Sequence, residues 1–443
     1  MFNKRLFLTK RRRRSNRFLD LIRLIQSLNP VVAYSTSRRL SSSADKLMRV
    51  RLDSDNSEID IGFVGGILDT QSLIDFGGYN LLGYTEDLTH SSWFTFDNGT
   101  SNIESGLVDP FGGNGAYRFS TSGGSKILAQ SILQNIFTGD QFTGSLFYRN
   151  STHPNNVLRM FRATGVGSGD VESSIVSMQQ NTTEWQRIDV THSFQNNQIG
   201  IRFDVLVRSG SSVEIFAPQL TKGSDLLPYQ SRTAGGASDC FVTTWYDQIG
   251  SNHATQPVAT NQPKIYDVLS GDIIRENGKP AMVFDGAGDH LSIPNIAGRS
   301  NTDAYFVNRH DDTSATAIDN EAYLYPTGNG AGNFGFVGVK NSTTASLNSS
   351  SYGSPSLYKN NTLLSPTNRG EVYSLLGQTQ NIINHQGAST SSWTEYQYGR
   401  YDAGQGVFHF EGTLQEIIIF DNNLTPDNRQ KLHDDINDHY DIF

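Results

Sequence analysis

From Leu47 to Phe420 the chain keeps returning to one pattern: short runs with apolar residues at every second position, closed by glycine, asparagine or serine. Period-two alternation puts one face of a strand into a core and the other into solvent, a pattern that a helix cannot use. The runs are Leu47–Leu52, Ser57–Phe63, Ala116–Ser120, Phe142–Tyr148, Val157–Phe161, Trp185–Val190, Ile199–Val205 and Val213–Ala217. They resume as Phe241–Tyr246, Ala281–Phe284, Ala304–Val307, Phe334–Val337, Gly406–Phe410 and the nearly continuous apolar Leu414–Phe420. Recurrent short strands with turn residues between them predict an all-β fold of antiparallel sandwiches or jelly rolls. Composition supports this: aromatics reach 11% and glycines number 42, while charged residues are only 18%. Disorder would need low hydropathy with high charge and few aromatics. A helix bundle and a chain spanning a membrane by helices are both excluded.

Helical signals are few. Asp69 caps a short turn over residues 69–76, and Thr425 with Pro426 begins a C-terminal helix, N-cap and first-position residues respectively. In that helix Leu432, Ile436 and Tyr440 repeat every four residues and should pack it onto a sandwich.

Charge is unevenly spread. The formal net charge is −9, yet residues 1–30 carry nine cations against Asp20 alone, so residues 31–443 carry −17. Arg11, Arg12, Arg13 and Arg14 form the centre of this basic arm. No aromatic interleaves the run, so base stacking is not indicated, and nucleic acid is not the expected partner. Behind the arm, Phe18, Leu21, Ile25 and Leu28 form an apolar stripe on a short helix expected over 17–28, stopped by Asn29-Pro30. Asp20 and Arg23 interrupt it too early for a secretory signal. A mitochondrial-type presequence and a membrane-surface helix remain alternatives to the leading expectation, an anchor that docks the body onto a larger assembly. The heptad-like spacing would also suit a homotrimer.

Three stretches are distinctive: Asp239-Cys240-Phe241-Val242-Thr243-Thr244-Trp245-Tyr246-Asp247-Gln248 through Gln256, Asn261-Gln262-Pro263, and Asn277-Gly278-Lys279-Pro280 through Phe284-Asp285-Gly286. In this order they resemble the concanavalin-like (LamG-type) catalytic domain of the arabinofuranosidase B family, and more closely its divergent relatives in bacteriophage structural proteins. Ala33-Tyr34-Ser35-Thr36-Ser37-Arg38-Arg39-Leu40, with Arg49-Val50-Arg51, resembles the beginning of the same family. Between these parts lies a segment whose Asn80-Leu81-Leu82, Ser91-Ser92-Trp93, Trp185-Gln186-Arg187 and Ala217-Pro218-Gln219-Leu220 are similar to carbohydrate-binding-module-like jelly rolls of phage tail proteins. The organisation expected is therefore a basic arm and anchor helix (1–30), a discontinuous sandwich (31–79 plus 231–443) and an inserted jelly roll (80–230). The resemblance implies a virion protein (a tail fibre, head fibre, spike or decoration protein) on the virion surface, contacting other virion proteins through its arm and a host cell-surface glycan through its sandwiches.

The enzyme family carries its nucleophile in an Asp-x-Glu-Asn-Gly motif, which this sequence lacks; Glu321, Glu371, Glu395, Glu411 and Glu416 all stand outside it. Retaining hydrolysis needs two carboxylates about 5 Å apart, and spacing singles out no such pair, so no catalytic residue is expected and hydrolysis of an arabinose-like sugar is the alternative. Asp247-Gln248 reads as a strand-end loop with Asp hydrogen-bonded to amides, and Asp285-Gly286-Ala287-Gly288-Asp289 as a turn rather than a calcium loop. His253, His290 and His310 lack ligand spacing, so no metal and no cofactor is expected. Cys240 reads as a buried small side chain, and Trp93 and Trp185 as core. Trp393, Tyr396 and Tyr398, aromatics in a polar run, are the candidate carbohydrate-binding residues.

Overall fold

The computed structural model describes residues 22–96, 99–133, 135–162, 173–294, 296, 298–311, 322–328, 333–402 and 407–443. Arg11–Arg14, Phe18 and Leu21 lie outside these residues, as does Glu321. The fold is all-β, built from antiparallel β-sandwich sheets with a few short helices.

The chain divides into two compact units: residues up to Phe76 with Cys240–Asp267 and Asp272–Phe443, and Gly77–Asp239 with Val268–Gly271. The junctions thus fall outside the expected 79/80 and 231 boundaries, because the flanking segments close the inserted unit on itself. Tyr84 N–H donates to Ala234 O and Thr85 N–H to Arg232 O, each at 2.8 Å, and Ala237 N–H to Asn80 O at 2.7 Å. A Cβ on Gly236 would lie 2.0 Å from Leu81 O, so only glycine lets these two ends run so close together.

The outer unit is organised around the strand Glu411–Phe420, buried from Gly412 to Phe420. It pairs antiparallel with Val32–Ser35, Met282–Asp285 and Thr302–His310. A strand flanked on both sides and covered on both faces is mostly apolar, which accounts for Leu414 and Ile417–Phe420, while the buried Gln415 and Glu416 are hydrogen-bonded. Helix α1 (22–28), α2 (Thr70–Gly77), α3 (Arg369–Leu376) and α4 (Pro426–Tyr440) accompany the strands. Asp69 accepts from Ser72 N–H at 3.2 Å, capping α2, and Thr425 accepts from Asn428 N–H to cap α4. Helix α4 buries Leu432, Ile436 and Tyr440 completely, together with Ile25 of α1.

That last contact corrects the anchor expectation for two residues. Ile25 packs among Ala33, Leu432, Ile436 and Tyr440, with Leu28 half-buried beside it. Apolar surface buried within the same unit cannot also dock a neighbour or seed a trimer. Below this helix a buried ion network ties the two chain ends together. Arg38 grips Glu416 with two hydrogen bonds, at 2.8 and 2.7 Å, and reaches Asp435 at 2.7 Å. Tyr440 O–H donates to Glu416 at 3.0 Å. No helix among the described residues is long and apolar enough to cross a membrane.

The inserted unit is a jelly-roll sandwich of two five-stranded antiparallel sheets. One runs Ser173–Ser177, Val157–Arg162, Ile201–Val207, Lys126–Ile132, Phe94–Phe96; the other Gln186–Ser193, Gln141–Arg149, Ser212–Lys222, Ala116–Ser122, Thr100–Leu107. Alternate residues of both fill one core, including Phe119, Phe142, Leu146, Met160, Phe203 and Val205. Trp93 belongs to this core, with its Nε1–H donated to Tyr84 O at 3.0 Å.

Candidate functional site

The residues that alternate away from this core define two outer faces. On the first sheet the register aligns Phe94, Ala129, Asp204, Arg159 and Ile175 in one row across all five strands. The adjacent row is Phe96, Ile127, Leu206, Val157 and Ser177, and on the other side Ser131, Arg202, Phe161 and Ser173 align. With strands about 4.8 Å apart this face is about 19 Å wide.

Its centre is ionic. Asp204, fully buried, accepts from Arg159 at 2.9 Å and from Arg202 at 2.8 and 3.1 Å. The Arg159 guanidinium lies 4.6 Å from the Phe161 ring centroid, and that of Arg202 lies 4.8 Å from Phe96 and 5.2 Å from Phe161. The cations therefore sit within cation–π distance of aromatic rings. Burial pushes the Asp204 carboxyl up against the pull of both arginines, and pushes Arg159 down against Asp204. Phe94 is 40% and Ile175 56% exposed at opposite edges. The apolar residues between them, Ala129, Ile127, Val157 and Leu206, are buried. What the face presents is therefore its aromatic edge beside the partly exposed guanidiniums of Arg159 and Arg202, an apolar edge with fixed donors of the kind that holds polyhydroxylated rings.

Sequence reasoning did not single out these residues, although the signal was present. Arg159 and Phe161, and Arg202 and Asp204, occupy outward positions in the middle of otherwise apolar strands.

The second outer face differs. Glu104, Arg118, Glu214 and Arg149 form a ladder of alternating charge across four strands, closed by hydrogen bonds of 2.6, 2.8 and 2.7 Å. Beside it Phe147, Phe216, Trp185 and Tyr229 make a small second core, held where Arg187 and Gln219 donate to Leu227 O. Trp185, expected in the main core, is half-buried here under Arg149, whose guanidinium sits 4.7 Å from its ring.

The expected sugar platform fails in the outer unit. Trp393, Tyr396 and Tyr398 are 3%, 2% and 0% exposed. Trp393 stacks on Tyr352 at 5.4 Å and donates to Ser351 Oγ at 2.9 Å, and Gly328 lies so close to its indole that a Cβ would come within 2.7 Å. Tyr398 packs on Phe284 and Phe410 and accepts from Asn308 at 2.9 Å. The polar neighbours Ser391, Ser392 and Thr394 made the run read as surface, but its aromatic rings point inward.

Asp247 accepts from the amides of Ala33 and Ile249 at 3.1 Å and of Asn252 at 3.3 Å, and Gln248 bridges Leu40 N–H and Arg38 O. Both hold loops together. The polar cleft beside them, about 390 Å³, is lined in part by Lys46, Tyr246 and His253. Asp285 accepts from Ala287 and Gly288 amides at 2.8 and 3.1 Å, and Asp289 from Asp285 N–H at 3.0 Å, which makes this segment a closed turn. Burial, with Asp285 nearby, pushes the Asp289 carboxyl up to about 7. Glu416 is taken by Arg38, Glu371 accepts from Thr367 at the start of α3, and Glu395 accepts from Gln397. Glu411 lies across from Asp285 in the sheet. Cys240 is buried, and no group of three or more His, Cys, Asp or Glu among the described residues is placed to hold a metal ion.

Together these features define a two-sandwich protein with one aromatic-rimmed sheet face whose edges, Phe94 and Ile175, are exposed. No family model matches the chain, and no curated protein matches it. Among solved structures it is similar to the enzymatically active domain of tailspike protein 4 of bacteriophage CBA120, at 14% identity and TM-score 0.26 over 33% of this chain and 21% of that one. It is also similar to TmCBM61 in complex with β-1,4-galactotriose, at 16% identity and TM-score 0.24 over 33% of this chain and all of that one. A third is the CBM22-1–CBM22-2 tandem domain of Paenibacillus barcinonensis Xyn10C, at 11% identity and TM-score 0.26 over 77% of this chain and 97% of that one.

Proposed function

We propose that this chain is a structural protein of a bacteriophage virion, a fibre, spike or decoration subunit, whose inserted jelly roll binds a glycan on the host surface. The observation that carries the binding reading is the Phe94–Phe96–Phe161 face with its Arg159–Asp204–Arg202 centre. The virion reading rests on the resemblance of residues 33–63 and 239–286 to phage relatives and on the basic arm. In this reading the arm contacts acidic surfaces of other virion proteins, many copies multiply weak sugar contacts, and the protein recognises glycan without cleaving it.

Titrating the full-length protein with a panel of soluble polysaccharides tests the binding function. Phe94→Ala, at an exposed edge, should weaken binding several-fold with the circular dichroism unchanged. Saccharide affinity unaffected by Phe94→Ala and by Arg202→Gln refutes the assignment of the face. Release of arabinose or another sugar from those polysaccharides would replace recognition with hydrolysis. For the arm, protein lacking residues 1–21 should fail to enter particles while remaining folded.

A further inference from the structure

We infer that the ligand of this face is an acidic saccharide, one bearing uronate or comparable carboxylate groups, a reading that rests on the glycan-binding proposal. The argument is one of uncompensated charge. The inserted segment 77–239 holds ten basic against fourteen acidic residues, so its surface as a whole repels anions. Its first outer face does the reverse: Arg159 and Arg202 share the carboxylate of Asp204, and among the described residues Arg208 has no carboxylate paired with it.

Arg208 follows the Ile201–Val207 strand, two residues after the outward Leu206. Its guanidinium donates to a backbone carbonyl, Asn155 O, at 3.1 Å. It is near enough to Arg159 to disfavour that cation's charge, as Arg202 also does, although burial is the larger cause. Arg159 Nε has no hydrogen-bond partner. The opposite sheet shows what compensation looks like, with Arg118 and Arg149 matched by Glu104 and Glu214. An anionic group seated near Arg159 and Arg208 would supply the missing counter-charge, in the geometry guanidinium favours for carboxylates.

From Arg202 to Arg208 the strand spans about 20 Å, which suits an extended polysaccharide carrying repeated acidic groups. Nucleic acid is the weaker candidate. Its binding draws on the neutralisation of many phosphates, and three cations on an acidic unit supply few.

The test is calorimetric titration of the full-length protein with polygalacturonate, with neutral β-1,4-galactan, and with single-stranded DNA. The expected result is polygalacturonate binding at least about tenfold tighter than galactan, the scale of one charge-assisted contact, with affinity falling as salt rises. Arg208→Gln, at a partly exposed site outside the core, should remove most of that preference and leave galactan binding unchanged. Arg159→Gln, within the binding centre itself, should lower polygalacturonate affinity more than galactan affinity while weakening both. Equal or tighter galactan binding overturns the inference while leaving glycan recognition standing. Absence of binding to any polysaccharide on the wider panel overturns both, and tighter binding to DNA replaces the saccharide with a different partner.

Discussion

His433 provides a quantitative test of the outer unit's core. It lies inside helix α4, fully buried, with its ring 5.5 Å from that of Tyr305. Neither imidazole nitrogen has a hydrogen-bond partner among the described residues. Burying a polar group unpaired costs about 1–3 kcal/mol, so His433→Leu, of similar volume, should stabilise the protein by that amount at neutral pH. Acid widens the gap. Burial, helped by Arg429 and opposed by Asp434, lowers the His433 pKa from 6.5 to about 4. Because the folded value is the lower one, the stability contribution is complete above the unfolded pKa and is lost as pH falls from 6.5 towards 4. Linkage between those two values makes the loss about 2 kcal/mol at about pH 5. The buried His385 and His439, lowered to about 3 and about 2 by burial, contribute similar losses in both proteins and cancel in the comparison. Urea unfolding of wild type and variant at about pH 7.5 and about pH 5 reads both quantities. A variant less stable than wild type at neutral pH, or a difference that does not grow in acid, would show that the imidazole is partnered and the reasoning wrong.

Three other outcomes follow from the same geometry. Arg38→Ala leaves Glu416 buried without its cation and should cost about 3–5 kcal/mol, read as a lower urea midpoint. Trp393→Ala should cost about 3–5 kcal/mol as a core deletion yet leave polysaccharide affinity intact; loss of binding without loss of stability would restore the sugar-platform role. For Asp289 the folded pKa of about 7 exceeds the ordinary aspartate value of 3.8, so stability is complete below about pH 4 and declines as pH rises towards 7. Asp289→Asn, still able to accept from the Asp285 amide, should be the more stable protein by about 4 kcal/mol at about pH 8 and by well under about 1 kcal/mol at about pH 4; equal pH profiles would refute it.

Local rules made much of the fold readable. Thr425 and Pro426 start α4, Asp69 caps α2, and the Asp285-Gly286 turn forms as turn chemistry requires. What remained hidden depends on contacts between residues far apart in the chain. Alternation shows that Arg202 and Asp204 share a face but not that Arg159, forty-five residues away, pairs with Asp204. The stripe through Ile25 and Leu28 announces an apolar surface without saying whether a neighbour or the chain's own C-terminal helix covers it. Trp393 illustrates the opposite error, because hydroxyl-bearing neighbours describe the turn around a residue and not the ring packed above it.

A pattern in the polar groups supports placing the proposed binding site in the insert. In the outer unit the tempting residues are all engaged: Asp247 by three amides, Gln248 by two loops, Glu416 by Arg38 and Tyr440, Asp285 and Asp289 by their own turn. Satisfied groups rigidify a scaffold and have little left to offer a ligand. On the first outer face of the insert two guanidiniums share one carboxylate with a third nearby, and among the described residues the Arg159 Nε has no partner. Holding like charges together over aromatic rings costs stability that packing alone does not require, and a bound anion is the event that would offset it.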